Sequence, residues 1–292
     1  MTGSKLLNNT HGGTDQILVA LDGSPAALAA AGVAIQIAQG QDWSVHGLYV
    51  VDETLALDTY ADYRRELESD QEPTSRAELF NWFESQGGAA LEMLAERCQA
   101  AGVPVTTELL AGGVPDMVAR ESERVQLLSI GRRGHGHEGD SHHLGRSFRT
   151  IAHHVRLPLV VGGGEGRTVH RVLLAFDGSE RARPALAWAS VLQRTLPAEL
   201  VVVAVQENDL QPVGDWLAEA RSALPDCHCL HRHGEAADEI VAAAEETQAD
   251  LVVMGRYRHA ALLERIMGST VDGVLRGTQL PVLIARDGGS VK

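Results

Sequence analysis

The sequence predicts an α/β protein built from two tandem doubly wound domains, each an open five-stranded parallel sheet with helices on both faces in a Rossmann-like arrangement. Three observations lead there. The chain repeats its own blocks in order: QILVALDGSPAA (Gln16 to Ala27) returns as RVLLAFDGSERA (Arg171 to Ala182), LLSIGRRGHG (Leu127 to Gly136) as LVVMGRYRHA (Leu251 to Ala260), and LPLVV (Leu157 to Val161) as LPVLI (Leu280 to Ile284). Ordered self-similarity of this kind means one structural unit used twice. Short apolar runs alternate with alanine-rich stretches of helical length, the pattern of βαβ units and a parallel sheet. Apolar residues make up 44% of the 292 residues but aromatics only 4%, so the core is assembled from Val, Ile, Leu and Ala, as in sheets buried on both faces.

Residues 1–15 form a polar lead-in. Ile17 to Leu21 is a buried strand ending at Asp22-Gly23-Ser24, a turn with a capping residue, and alanine-rich sequence to about Gln39 is a helix. Val45 to Val51 is a second strand. An acidic, irregular insertion over about 52–86, far longer than its counterpart Gln206 to Val213, leads into a helix running to about Ala101. Val103 to Leu110 is a strand, Val114 to Arg124 a helix, and Leu127 to Ile130 a strand running into Gly131. A Gly- and His-rich loop follows, then a helix from about Ser147 to Val155 and a strand at Leu157 to Val161. The first domain therefore spans 16–162, a flexible Gly-rich linker 163–169, and the second domain 170–292. Its elements are strands Val172 to Phe176, Leu200 to Val205, Cys227 to His231, Leu251 to Met254 and Val282 to Ile284. Between them lie helices Ala182 to Thr195, Asp215 to Leu224, Glu235 to Thr247 and one from Ser269.

Charge and cysteine content narrow the function. A net charge of −14 without a long basic run argues against a nucleic-acid partner, whose phosphates require clustered Lys and Arg. No apolar stretch approaches the roughly 20 residues of a membrane span. Three cysteines, an odd number, and no leader-like segment give the expectation of a cytoplasmic protein with reduced thiols.

In open parallel sheets, ligands sit beyond the carboxyl ends of the strands where the strand order reverses. Asp22 and Asp177 end the first strand of each copy, and Gly131 and Gly255 the fourth. Glycine there lets backbone approach a phosphate, and the next helix offers unpaired N–H groups to an anion. The alternative is that these glycines only make turns and each Asp only caps a helix.

These residues resemble the universal stress proteins in their tandem two-domain form. Nucleotide-binding members of that family carry Gly-x2-Gly-x9-Gly-Ser/Thr after the fourth strand, an Asp ending the first and a Val near the end of the second. Here Gly131 and Gly134 fit the opening in the first copy, while Gly145 follows one residue late, with Arg146 and then Ser147 after it. In the second copy Gly255 and Gly268-Ser269-Thr270 keep the spacing, and Arg258 replaces the second glycine. Asp22 and Asp177 match the aspartate, Val50 and Val205 the valine. The resemblance implies that Asp22 or Asp177 meets the nucleoside, that Val50 or Val205 contacts adenine through backbone, and that the glycine loops hold phosphates. ATP or another adenine nucleotide, with or without Mg2+, is the cofactor it implies. Arg146 and Arg258 either obstruct the phosphates or grip them; the intact spacing favours the second site.

Histidines give a different lead. His135, His137, His142 and His143 crowd the first glycine loop with Glu138 and Asp140, either as a solvated loop or as ligands of a transition metal. Cys227, Cys229, His231 and His233 share one face of a strand, yet side chains two apart lie nearly 7 Å from each other, so all four do not reach one tetrahedral zinc unaided. No catalytic constellation is present: no phosphate-loop lysine, no nucleophile elbow, no His-Glu-x-x-His helix. Ser24 and Ser179 are explained as helix N-caps.

The expectation is a stress-response protein whose two domains pack through pseudo-twofold faces, as a pseudo-dimeric monomer or a homodimer. It senses adenine nucleotide at one site or both, hydrolyses ATP slowly at most, and signals to a protein partner. The rival expectations are a nucleotide-free scaffold for a protein or another anionic or acyl ligand, and a zinc-binding or weakly ATP-hydrolysing protein.

Overall fold

The computed structural model describes residues 15–52, 76–134, 144–164, 166–256 and 269–286. Ten strands form one continuous sheet: β1 Gln16–Leu21, β2 Ser44–Val51, β3 Val105–Ala111, β4 Leu127–Gly131, β5 Leu159–Gly162, β6 Arg171–Ala175, β7 Glu199–Gln206, β8 His228–His233, β9 Leu251–Gly255 and β10 Val282–Ala285. Their order is β3-β2-β1-β4-β5-β10-β9-β6-β7-β8. Each half therefore has the doubly wound order 3-2-1-4-5, with its reversal between β1 and β4 or between β6 and β9. All pairings are parallel except β5 with β10, which run antiparallel in the register Val161↔Val282, Val160↔Leu283, Leu159↔Ile284. The halves thus join edge to edge, which corrects the expectation that they pack through faces. Pairing the two last strands satisfies backbone groups that two separate sheets would leave on open edges.

Eight helices cover the sheet among the described residues: α1 Pro25–Gln41, α2 Arg76–Ala100, α3 Val114–Ser122, α4 Arg146–His154, α5 Arg183–Thr195, α6 Val213–Ala223, α7 Ala236–Glu246 and α8 Ser269–Gly277. One face carries α1, α2, α5 and α6 over an apolar cluster drawn from both halves. The other carries α3, α4, α7 and α8 over a second shared cluster. Ten residues of α1 are buried, seven of them alanines, because α1 lies against both the sheet and α5. Small side chains permit that double contact: a Cβ at Gly40 would lie 2.7 Å from Thr195 Cβ. Trp43 and Trp188 meet edge to face nearby, with ring centroids 6.5 Å apart.

Two buried arginines stitch the seam. Arg132, just past β4 and fully buried, donates from Nε to the Gly162 carbonyl at 3.1 Å, from Nη1 to the carbonyls of Leu275 and Thr278 (the latter at 2.6 Å), and from Nη2 to Leu280 at 3.3 Å. Arg286, just past β10, donates to the Val155 carbonyl and, at 2.9 Å, to that of Ala152. Each guanidinium crosses into the other half and meets the carbonyls that end its last helix, α8 or α4, where a cation also complements the helix dipole. Burial, together with Arg133 beside Arg132 and Arg256 beside Arg286, pushes the two down to about 10 and about 9. Both remain charged at neutral pH.

Three expectations change. The 163–169 segment is docked rather than flexible in its described residues: Gly164 N–H donates to Gln279, Val169 N–H to Gln36 Oε1, and Gln36 Nε2 to the Arg167 carbonyl. A Cβ at Gly163 would lie 1.8 Å from Arg132 Nη2, so glycine is demanded there by packing. Helix α2 begins at Arg76, inside the segment expected to be irregular to about 86. Its apolar residues Leu91, Leu94 and Cys98 reach the sheet cluster, and the helix extends back from that anchor. Residues 53–75, like 1–14, lie outside the described residues. Strand β8 continues to His233, two residues past its expected end, because β7 provides pairing partners as far as Gln206. No described helix is long and apolar enough to cross a membrane.

Replacing Arg286 with Met is expected to lower stability by about 2–4 kcal/mol, since it removes charge-assisted bonds and leaves helix-end carbonyls buried. Urea unfolding of Arg286→Met against the parent checks this; an unchanged midpoint would show that the seam does not depend on it.

Candidate functional site

The ends of β1 and β6 carry matching turns. Asp22 Oδ1 accepts the Ser24 N–H at 2.9 Å and Asp177 Oδ1 that of Ser179 at 3.0 Å, with Gly23 and Gly178 at φ +80° and +69°. The hydroxyls of Ser24 and Ser179 each accept an N–H three residues on, at 3.2 Å. Ser24 is the N-cap of α1. Ser179 instead opens a turn that closes three residues on, at the α5 cap Ala182. Side-chain bonding in both Asp turns is thus partly structural.

The fourth-strand glycines also have a packing role. A Cβ at Gly255 would lie 2.3 Å from the Arg181 carbonyl oxygen and one at Gly131 would lie 2.9 Å from Ala27 N. Beyond them the halves diverge. In the first, the Ser24 hydroxyl donates to the Arg133 carbonyl at 3.3 Å, Gly134 lies beside Asp22, and Gly145 N–H bonds the Arg132 carbonyl at 2.9 Å. The two described ends of the first glycine loop, 131–134 and 144–145, therefore meet each other and the Asp22 turn. Gly145 caps α4, Arg146 is exposed at its first turn, Ser147 is half-buried, and Val50 packs on the apolar cluster of the α3/α4 face.

The second half opens instead into a cavity of about 310 Å³ at the carboxyl ends of β6, β7 and β9. It brings together Asp177, Val205, Gly255 and Thr270. Gly268 and Arg258 lie outside the described residues, as do His135, His137, Glu138, Asp140, His142 and His143; Ser269 starts α8. The floor is apolar, with Ala175, Val203, Ile240 and Met254. Sheet order separates the charges: Arg181 and Arg256 line the β6/β9 side, Glu207 and Glu235 the β7/β8 side. Trp216 forms a wall, so close to the turn that a Cβ at Gly178 would lie 2.1 Å from its Cδ1.

Several of these were not singled out in the sequence. Arg256 had a signal, since it occupies the repeat position of Arg132. Trp216 had none, because α6 has no counterpart motif in the first half.

The edge-strand thiols are close. Cys227 and Cys229 Sγ atoms lie 3.6 Å apart and pack on the core, His231 bonds Gln206 Oε1 at 2.9 Å, and the His231 and His233 rings stack with centroids 4.4 Å apart. The four do not converge as a set of three or more ligands. Burial, then the hydrogen bond from Cys229, pushes Cys227 up to about 11, and burial does the same to Cys98. Metal ligation needs the thiolate, which this environment disfavours.

A model of the universal stress protein family matches residues 13–161 and 215–286, most of both halves. The chain belongs to the universal stress protein family. It is 30% identical over 168 residues to a universal stress protein of Synechocystis, a match covering 55% of this chain and 58% of that one, so the aligned part spans little over half of that relative. A universal stress protein of Mycolicibacterium smegmatis is 27% identical over 207 residues, covering 63% and 70%. The crystal structure of a universal stress protein from Archaeoglobus fulgidus superposes with a TM-score of 0.70 at 20% identity, covering 94% of this chain and 99% of that one, which establishes the shared fold.

Two outcomes follow. Gly255→Ala is expected to cost about 1–3 kcal/mol through overpacking against the start of α5, measured by urea unfolding; no loss would mean the turn yields freely. At pH 8 only about 0.1% of Cys98 or Cys227 is thiolate, given values near 11. Iodoacetamide labelling of Cys227, which is partly exposed where Cys98 is fully buried, should rise about tenfold per pH unit from 8 to 10, and peptide mapping that finds a flat rate would contradict the burial argument.

Proposed function

We propose that this stress protein binds one adenine nucleotide per chain, in the second-half cavity, and acts as a sensor rather than a dedicated enzyme. The observation that carries the reading is the cavity itself, which collects the family's Asp177, Val205, Gly255 and Thr270 at a topological switch point. Its charge gradient supports one orientation. Phosphates face Arg181, Arg256 and the N-terminus of α8, where guanidiniums and helix N–H groups favour anions. The nucleoside then lies over the apolar floor toward Asp177 and Val205, with Trp216 alongside. The first site contributes less in this reading, because Arg133 and Gly134 lie against the Asp22 turn.

A route for the signal is also present. Helix α8 begins at the cavity and ends where Arg132 from the other half holds its carbonyls. Nucleotide that fixes the start of α8 biases the seam as well, and so the surface shown to a protein partner. Mg2+ would accompany a bound triphosphate by shielding its charge.

Mass spectrometry of small molecules released from denatured protein, with titration of ATP and magnesium, tests the reading. About one nucleotide per chain is expected, lost in Asp177→Ala and kept in Asp22→Ala. Trp216 fluorescence should change on binding and be silent in Trp216→Phe. Empty protein that takes up no ATP would reject the reading and leave the scaffold as the function.

A further inference from the structure

We propose that His46, Glu108 and Glu121 form a binding site for a divalent first-row transition-metal ion, at the opposite end of the sheet from the cavity. The three come from different elements. His46 lies near the start of β2, Glu108 lies on the edge strand β3, and Glu121 is in the last turn of α3. Because α3 runs back against the strands, its C-terminus arrives above the strand starts, and the three side chains share the face covered by α3. One ligand atom from each falls within 4.8 Å of the others. His46 Nε2 and Glu108 Oε2 are 3.5 Å apart, a separation that two ligands on one ion at about 2.0–2.2 Å readily adopt. Glu108, with its side chain 44% exposed, has the freedom to take up the remaining spread.

The chemistry around the three is that of a ligand set. Thr106, the register partner of His46 on β3, places Oγ1 2.9 Å from His46 Nδ1. In the tautomer that donates Nδ1–H to Thr106, Nε2 turns a lone pair toward two carboxylates, and three acceptors face a point that a cation fills. A hydrogen bond on the far ring nitrogen is the usual way a ligating imidazole is oriented. Glu121 is 8% exposed, and Arg120 Nε at 3.0 Å and Arg124 Nη1 at 3.7 Å hold its carboxylate from their side. These cations temper the affinity while fixing the position of Glu121. One imidazole with two carboxylates suits zinc, cobalt or manganese better than calcium or magnesium, which prefer all-oxygen sites. Three protein ligands on a partly exposed face leave a position for water. The ion would tie edge strand β3 to β2 and α3, giving that edge a clamp. No residue of the cavity takes part, so the site is independent of nucleotide.

The experiment uses the full chain, stripped with a chelator and free of nucleotide, titrated with Zn2+ by calorimetry and with Co2+ by its visible d–d absorption, alongside thermal melts. The parent should bind an ion that raises the melting temperature and gives the intense bands of a low-coordinate Co2+ site. His46→Gln should abolish both signals. Glu108→Gln, at an exposed position, should weaken binding by at least about tenfold, and Thr106→Val, which suits a strand and touches only the far ring nitrogen, by about 10–100-fold. Cys227→Ser/Cys229→Ser should leave binding intact. Zn2+ affinity and melting shift unchanged in His46→Gln and Glu108→Gln would assign the metal to other histidines and overturn the proposal, as would no binding of either ion by the parent.

Discussion

A guanidinium taken out of water must be given oxygen atoms in return, and the junction of the two halves is organised around that requirement. Arg132 and Arg286 are buried where the β5–β10 pair brings the halves together, and both donate to main-chain carbonyls there. They spend their donors on main-chain carbonyls, mostly those left over at the ends of α8 and α4. One unmet demand answers another: a buried cation needs acceptors, and the helix-end carbonyls need donors. The arrangement also ties helix to sheet across the duplication, so neither half retains a private core. Both apolar clusters contain residues from each copy.

The same contacts break the symmetry of the repeat. Arg132 and Arg256 hold equivalent positions after β4 and β9, and Gly163 and Arg286 hold equivalent positions after β5 and β10. In the first half the arginine from β4 passes over Gly163, where any side chain would block it. In the second half Arg286 supplies the seam cation, and Arg256 is left to line the cavity. Arg256 lies close enough to Arg286 to push it down while also lining the cleft. The described start of the first glycine loop, at Arg133 and Gly134, lies beside the Asp22 turn, and in the second half Asp177 and Gly255 line a cavity.

This division explains what could be read from the sequence. Strand and helix positions were legible because local signals set them: Val-Leu runs for strands, Asp-Gly-Ser turns, alanine over α1. Alternation and repetition gave an open, parallel, doubly wound sheet in each half; the order 3-2-1-4-5 itself came from the structure. The antiparallel seam was not legible, since Leu157 to Val161 and Leu280 to Ile284 look like any last strand and nothing local states that they pair with one another. Arg286 reads as an ordinary residue after a strand; its role depends on carbonyls 131 and 134 positions away. Trp216 likewise reaches the Gly178 turn from α6, whose counterpart α2 carries none of the repeated sequence blocks. Of the site, the sequence carried the repeated Asp, Val and Gly positions and missed the wall and both charged flanks.

Placement on the sheet finally separates two kinds of residue. At the carboxyl ends of the strands, helix N-termini and turn backbones face outward, and small or flexible residues collect there because side chains would fill the cleft. At the amino ends the helices arrive with their carbonyl ends, an environment that welcomes cations. His46, Glu108 and Glu121 gather at the second kind of end, on the edge of the first half, where no repeated motif marks them. Their convergence depends on register, His46 opposite Thr106 and one pleat from Glu108, and on the length of α3. A sheet of this kind therefore sorts anion chemistry to one end and cation chemistry to the other by the direction of its helices alone, and both ends of this chain carry side chains that fit that sorting.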